Sequence, residues 1–133
     1  EVRVAQGRFV GKGVYVASEQ RVTKKLKGRA RVATFEVRVT NRGDATDKVV
    51  VLGTRRNAKF SVVYLADGKN VTAAVLDGSY ETAALRSGES ATLVVRVTRA
   101  KGVEAGSRTF EIRSTSSHDK QVRDTVRAAV KVG

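Results

Sequence analysis

The chain has 133 residues, enough for one domain with a real core, since ~150 residues bury roughly 68–70% of their unfolded surface. It has no cysteine, which excludes disulfide bracing and thiolate metal sites, and with 5% aromatic residues and no Trp or Met its apolar set is mostly Val and Ala. A formal net charge of +13 says nothing about fold but draws polyanions: nucleic acid, anionic cell-wall polymers or acidic polysaccharide.

No apolar run approaches the ~18 residues of a membrane helix. No leader segment is legible, the pattern of a mature chain or an excised piece. In chain order, Val2, Val4, Phe9, Val14 and Val16 predict one or two early strands, with bends at Gly7, Gly11 and Gly13. Gly11-Lys12-Gly13 lacks the full phosphate-loop pattern. Residues 1–27 read as an N-terminal strand or junction segment of a single domain spanning 1–133.

Arg21, Lys24, Lys25, Lys27, Arg29 and Arg31 then fall within eleven residues without an acid. Such a cluster can neutralise phosphates or sulfates and release counterions, which makes these six the candidate polyanion-binding residues. The plainer reading is a solvated loop and strand edge, where lysines deter edge-to-edge aggregation. Only Tyr15 lies near for base stacking and no recognition helix is legible, so no specific nucleic-acid partner is expected.

Period-2 alternation begins clearly at residue 33. Ala33, Phe35, Val37 and Val39 share one face of a strand, and Thr34, Glu36, Arg38 and Thr40 the other. Phe60, Val62 and Tyr64 form a second apolar face, and Leu93, Val95 and Val97 a third. Phe110 and Ile112 oppose Glu111 and Arg113, and the last strand turns Val126, Ala128, Val130 and Val132 inward. Turn signals separate these runs at Asn41-Arg42-Gly43-Asp44, Asp67-Gly68, Asp77-Gly78, Ser87-Gly88 and Gly102–Gly106. The best local helix candidate, Val71–Leu76, is short.

Short strands at this spacing predict an all-β, antiparallel two-sheet sandwich of about seven to nine strands. Residues 33–40 and 91–98 differ only at Phe35/Leu93 and Glu36/Val94, and each run follows a glycine, Gly28 or Gly88. Two tandem domains of about 60 residues would be marginal, so the repeats are expected as neighbouring strands B and E of one immunoglobulin-like sheet. The expected core is Phe35, Val37, Val39, Phe60, Val62, Leu93, Val95, Val97, Phe110, Ile112, Val126 and Val130. Outward Arg38, Arg96, Arg113 and Arg127 are placed to pair across strands with Glu36 and Glu111.

Over residues 28–132 the chain resembles the bacterial immunoglobulin-like domains of secreted and cell-surface proteins. The nearest likenesses are the CARDB cell-adhesion-related domain and the β-sandwich domain associated with carbohydrate-binding modules in glycosidases. The residues that carry it are Val39-Thr40-Asn41-Arg42-Gly43-Asp44, the Gly88-Glu89-Ser90-Ala91 turn, and Ser114 to Ser117 before the closing Val-rich strand. The lack of proline and the strong basicity depart from it. The resemblance implies a non-enzymatic structural or adhesive module at the cell surface or outside the cell, in tandem or assembled with neighbouring copies. It implies no catalytic residue and no cofactor.

The remaining motifs have plain readings. His118, the one histidine, lies in the polar run Ser116-Ser117-His118-Asp119, and adjacent residues do not assemble a serine–histidine–aspartate relay. One histidine and scattered aspartates at positions 44, 47, 67 and 77 form neither a zinc nor a calcium pattern, so no metal is expected. Arg42-Gly43-Asp44 is an integrin-type tripeptide and also ordinary turn chemistry. Asn70-Val71-Thr72 spells a glycosylation acceptor, which carries no weight in a bacterial chain.

Two functional alternatives stand beside the structural reading. One is a polyanion- or carbohydrate-binding module, with anionic cell-wall or extracellular polysaccharide as partner. The other is a fibre subunit in which a segment such as Val2–Gln6 is donated to a neighbour's sheet edge.

Overall fold

The computed structural model describes residues 1–4 and 21–133. The expectations at Phe9, Val14, Val16, the glycines at 7, 11 and 13, Tyr15, and the far end of the Val2–Gln6 segment lie outside those residues.

Two five-stranded sheets face each other across a Val-rich core. One has the order β1-β3-β8-β5-β6, from β1 (Val2–Val4), β3 (Val32–Thr40), β8 (Ser90–Arg99), β5 (Phe60–Ala66) and β6 (Lys69–Asn70). The other is β2-β10-β9-β4-β7, from β2 (Arg21–Leu26), β10 (Arg123–Val132), β9 (Gly106–Ser116), β4 (Val49–Gly53) and β7 (Tyr80–Glu81). β3, β8 and β5 take the places of strands B, E and D, and β4, β9 and β10 those of C, F and G, which makes this an immunoglobulin-like sandwich. Helix α1 (Thr72–Asp77) packs on β4 and β5 at one side and buries Val75.

The near-identical runs do pair. Phe35 stands opposite Val95 and Val37 opposite Leu93 in an antiparallel ladder. All twelve expected core residues are buried, joined by Val2, Leu26, Val51, Tyr64, Ala128 and Val132 among others. The pleat explains this, since every second side chain of a strand faces the opposing sheet. At the β5–β6 hairpin Asp67 and Gly68 both have positive φ, 50° and 77°, the pattern of a type I′ turn.

Two features depart from expectation. Among the described residues the strands number ten, because β6 and β7 are two-residue pairings and the N-terminal region supplies a strand to each sheet. The sandwich is also not wholly antiparallel. β1 lies antiparallel to β3, whereas β2 joins the opposite sheet parallel to β10, Arg21 facing Arg127 and Leu26 facing Val132. β2 and β10 run in the same direction through six paired positions.

The Val2–Val4 segment folds back onto its own domain: Val2 is fully buried opposite Val37. Donating it to a neighbour requires breaking that pairing first.

Candidate basic pole

Strand direction sorts the connections between the two ends of the sandwich. Residues 27–31, 54–59 and 100–105 cross between the sheets at one end, the crossover pole. Residues 41–48, 67–68, 82–89 and 117–122 lie at the other end.

The six sequence candidates divide along this layout. Arg21, Lys24 and Lys25 ride on β2, the edge strand of its sheet among the described residues, all exposed. Lys24 alternates with Val22 and Leu26 and so sits on the core-facing side of that edge, an arrangement that discourages strand addition. Lys27, Arg29 and Arg31 occupy the first crossover, exposed. The fold adds basic residues that are remote in sequence: Arg55, Arg56 and Lys59 in the second crossover, Arg99 and Lys101 at the third. Glu104 is the only acid in the three crossovers.

Hydrogen bonds staple these loops. Arg99 N donates to Arg31 O at 2.7 Å, and Ala100 N to Lys59 O at 2.8 Å. The Arg31 guanidinium donates to Arg99 O at 3.1 Å, and that of Arg99 to Gly28 O at 3.0 Å. Arg108 reaches up from β9 to Arg55 O at 2.8 Å, with its guanidinium 5.6 Å from the Phe110 ring centroid. The partners are carbonyls, so these hydrogen bonds set no carboxylate against the guanidiniums. The ion pairs seen among the described residues lie elsewhere: Arg3–Glu36, Arg38–Glu1, Arg42–Glu1, His118–Asp47 and Arg127–Glu111. A cleft of about 810 Å³ runs between the first and third crossovers, walled by Lys27, Arg29, Arg31, Arg99, Lys101 and Glu104.

Of the expected cross-strand pairs, Arg127–Glu111 forms at 3.1 Å, with the two residues in register. Glu36 instead takes Arg3 from β1, and Arg38 pairs with Glu1.

At the far pole His118 is exposed as expected, but it has a partner. Its Nδ1 lies 2.6 Å from Asp47 Oδ1, and Ser116 Oγ donates to the other oxygen of the same carboxylate. The carboxylate therefore sits between serine and imidazole. A hydrolytic relay needs the imidazole between serine and carboxylate, so this cluster cannot draw a proton from Ser116. The hydrogen bonds from Ser116, and next those with His118, hold the Asp47 carboxyl below its ordinary pKa.

Arg42-Gly43-Asp44 is exposed in the same region. Asn41 shapes its turn: its Oδ1 accepts from Gly43 N at 2.9 Å, and its Nδ2 donates to Ala45 O and Leu85 O, each at 2.8 Å. The Asn70 side chain is tied locally, its Oδ1 accepting from Thr72 N at 3.0 Å and from Thr72 Oγ1 at 2.6 Å. Among the described residues no three of His, Asp and Glu converge as a metal-holding group.

Comparison with known proteins reaches the fold. No protein-family model and no curated protein matches the chain. Among solved structures, the N-terminal domain of PorA is similar over 84% of this chain and 86% of that one, at 12% identity and a TM-score of 0.50. A family 123 glycoside hydrolase from Clostridium perfringens matches over 100% of this chain at 7% identity and a TM-score of 0.51. The VesB protease of Vibrio cholerae shares 20% identity over 85% of this chain, at a TM-score of 0.48. The chain spans 27% of that hydrolase and 30% of that protease.

Proposed function

We propose that this chain is a non-enzymatic structural and adhesive module of a bacterial extracellular or envelope protein, of the CARDB-like kind, built to stand in a row of similar domains. The supporting observation is the placement of the terminal strands. β1 starts beside Arg38 at the far pole, whereas β10 ends at the crossover pole opposite Gly106. The chain thus runs from one end of the sandwich to the other, as a spacer requires.

The parallel β2–β10 pair adds a mechanical argument. Tension from the N-terminal side draws β2 towards the far pole, and tension from the C-terminal side draws β10 the opposite way. The six paired positions from Arg21–Arg127 to Leu26–Val132 then share the load in shear.

The test is the length of tandem arrays. A ten-residue strand spans about 34 Å, so each added copy should lengthen the particle by roughly 35–40 Å in solution scattering. Arrays of two, three and four copies whose maximum dimension fails to grow steadily would refute the spacer reading.

A further inference from the structure

We propose that the crossover pole is a binding site for a linear anionic polysaccharide, with the chain laid across the three crossovers and its sulfate, phosphate or carboxylate groups held by Lys27, Arg29, Arg31, Arg99, Lys101 and Lys59. This goes beyond the spacer reading and rests on different residues, leaving the β2–β10 pair untouched.

The topology supplies the geometry. The first crossover delivers β3, the third leaves from β8, and the second delivers β5, and these three strands are neighbours in one sheet. Neighbouring strands lie ~4.8 Å apart, so the crossovers form a row about 10 Å wide with cations at each step. An extended polymer with an anion on every unit or two can meet such a row at several points. A small anion meets only one or two.

The loops are organised before any ligand arrives. Arg31 is tied to Arg99, and Lys59 to Ala100, through backbone hydrogen bonds, and Arg31 and Arg99 each spend only part of their guanidinium donors on carbonyls. The free donors remain for the ligand, and little side-chain freedom is lost on binding. Beneath the row lies Arg108, whose Nε is buried without a hydrogen-bond partner and whose charge adds to the field.

Chemistry favours a polysaccharide over a nucleic acid. Residues 27–31, 54–59 and 100–105 contain no aromatic side chain, so these three crossovers offer bases no stacking platform. The one described helix, α1, sits at the side of the sandwich and cannot serve as a groove reader.

The experiment compares two triple variants of equal net charge. Lys27→Gln/Arg29→Gln/Lys101→Gln removes three of the row's six charges, whereas Lys69→Gln/Arg86→Gln/Lys120→Gln removes three exposed charges from the far end. Affinity for heparin, for alginate and for a single-stranded oligonucleotide of matched charge is measured from 50 to 300 mM salt. We expect the row variant to lose at least tenfold in heparin and alginate affinity, with a shallower salt slope, and the far variant to stay within about twofold. Equal losses in both variants mean attraction by net charge alone and overturn the site. Row-dependent oligonucleotide binding as tight as heparin's overturns the polysaccharide assignment. Thermal melting of both variants confirms that the compared proteins are folded.

Discussion

Gly53→Ala is a small change that should act strongly. Gly53 lies on β4 where the Tyr64 ring crosses from the other sheet. A Cβ at Gly53 would stand 2.6 Å from Tyr64 Cζ and from its hydroxyl oxygen, and 2.9 Å from Cε1. The ring cannot simply swing aside: it is fully buried, and its hydroxyl donates to Thr54 O at 2.7 Å. Overpacking of this kind costs about 1–3 kcal/mol. If the ring retreats and orphans the hydroxyl, about 1–3 kcal/mol more is lost. The narrower unfolded ensemble of alanine returns only ~0.4–1 kcal/mol. With the hydroxyl orphaned the net loss is about 1–5.5 kcal/mol, which for a domain of this size lowers Tm by roughly 4–20 °C. Urea and thermal unfolding followed by circular dichroism measure it. In a Tyr64→Leu background the clash partner is gone, so the alanine penalty should disappear, a coupling as large as the penalty itself. Equal or higher stability of Gly53→Ala, or strict additivity with Tyr64→Leu, would refute the reasoning.

Asn41→Ala should destabilise by about 2–4 kcal/mol in the same unfolding assays, because Ala45 O, Leu85 O and Gly43 N lose their partner together. Asn41→Asp should be at least as damaging at neutral pH, since a carboxylate then faces two carbonyls, and should recover partly as acid restores one donor. Asp47 governs part of the acid limb of stability. Its folded pKa is depressed by Ser116 and His118, so its contribution is fully present above the ordinary value near 3.8 and is lost as pH falls through the folded value. Asp47→Asn should be less stable than the parent at neutral pH and should flatten the fall in stability below pH 4. An unchanged acid limb would remove Asp47 from the account.

Much of the fold is legible because β3, β8, β9 and β10 are long and largely alternating, so most inward and outward residues declare themselves. The similarity of residues 33–40 and 91–98 even gives the right neighbours. Other elements carry no such signal. β6 and β7 are two residues each, set by the Asp67-Gly68 hairpin and by contact with β4. The parallel docking of β2 on β10 is a matter of strand direction, which periodicity does not encode.

The candidate site was half legible. Residues 21–31 cluster in sequence, whereas Arg55, Arg56, Lys59, Arg99 and Lys101 join them only through chain direction. The available signal was that each lies at the same end of an alternating strand once β3 and β8 are paired. The His118–Asp47 contact, spanning 71 positions between two loops, left no trace in the sequence.

The most direct test of the central claim is single-molecule pulling in two directions. The chain has no native cysteine, so handles can be placed at will. Pulling from the two chain ends loads β1 against β3 and then β2 against β10, both in shear, whereas pulling between Lys27→Cys and the C-terminal end peels the β2–β10 pair from the crossover pole one position at a time. Forced unfolding reports the unfolding barrier along each direction. A load-bearing spacer should unfold at clearly higher force end to end than when peeled. Equal forces, or a lower force end to end, would contradict it.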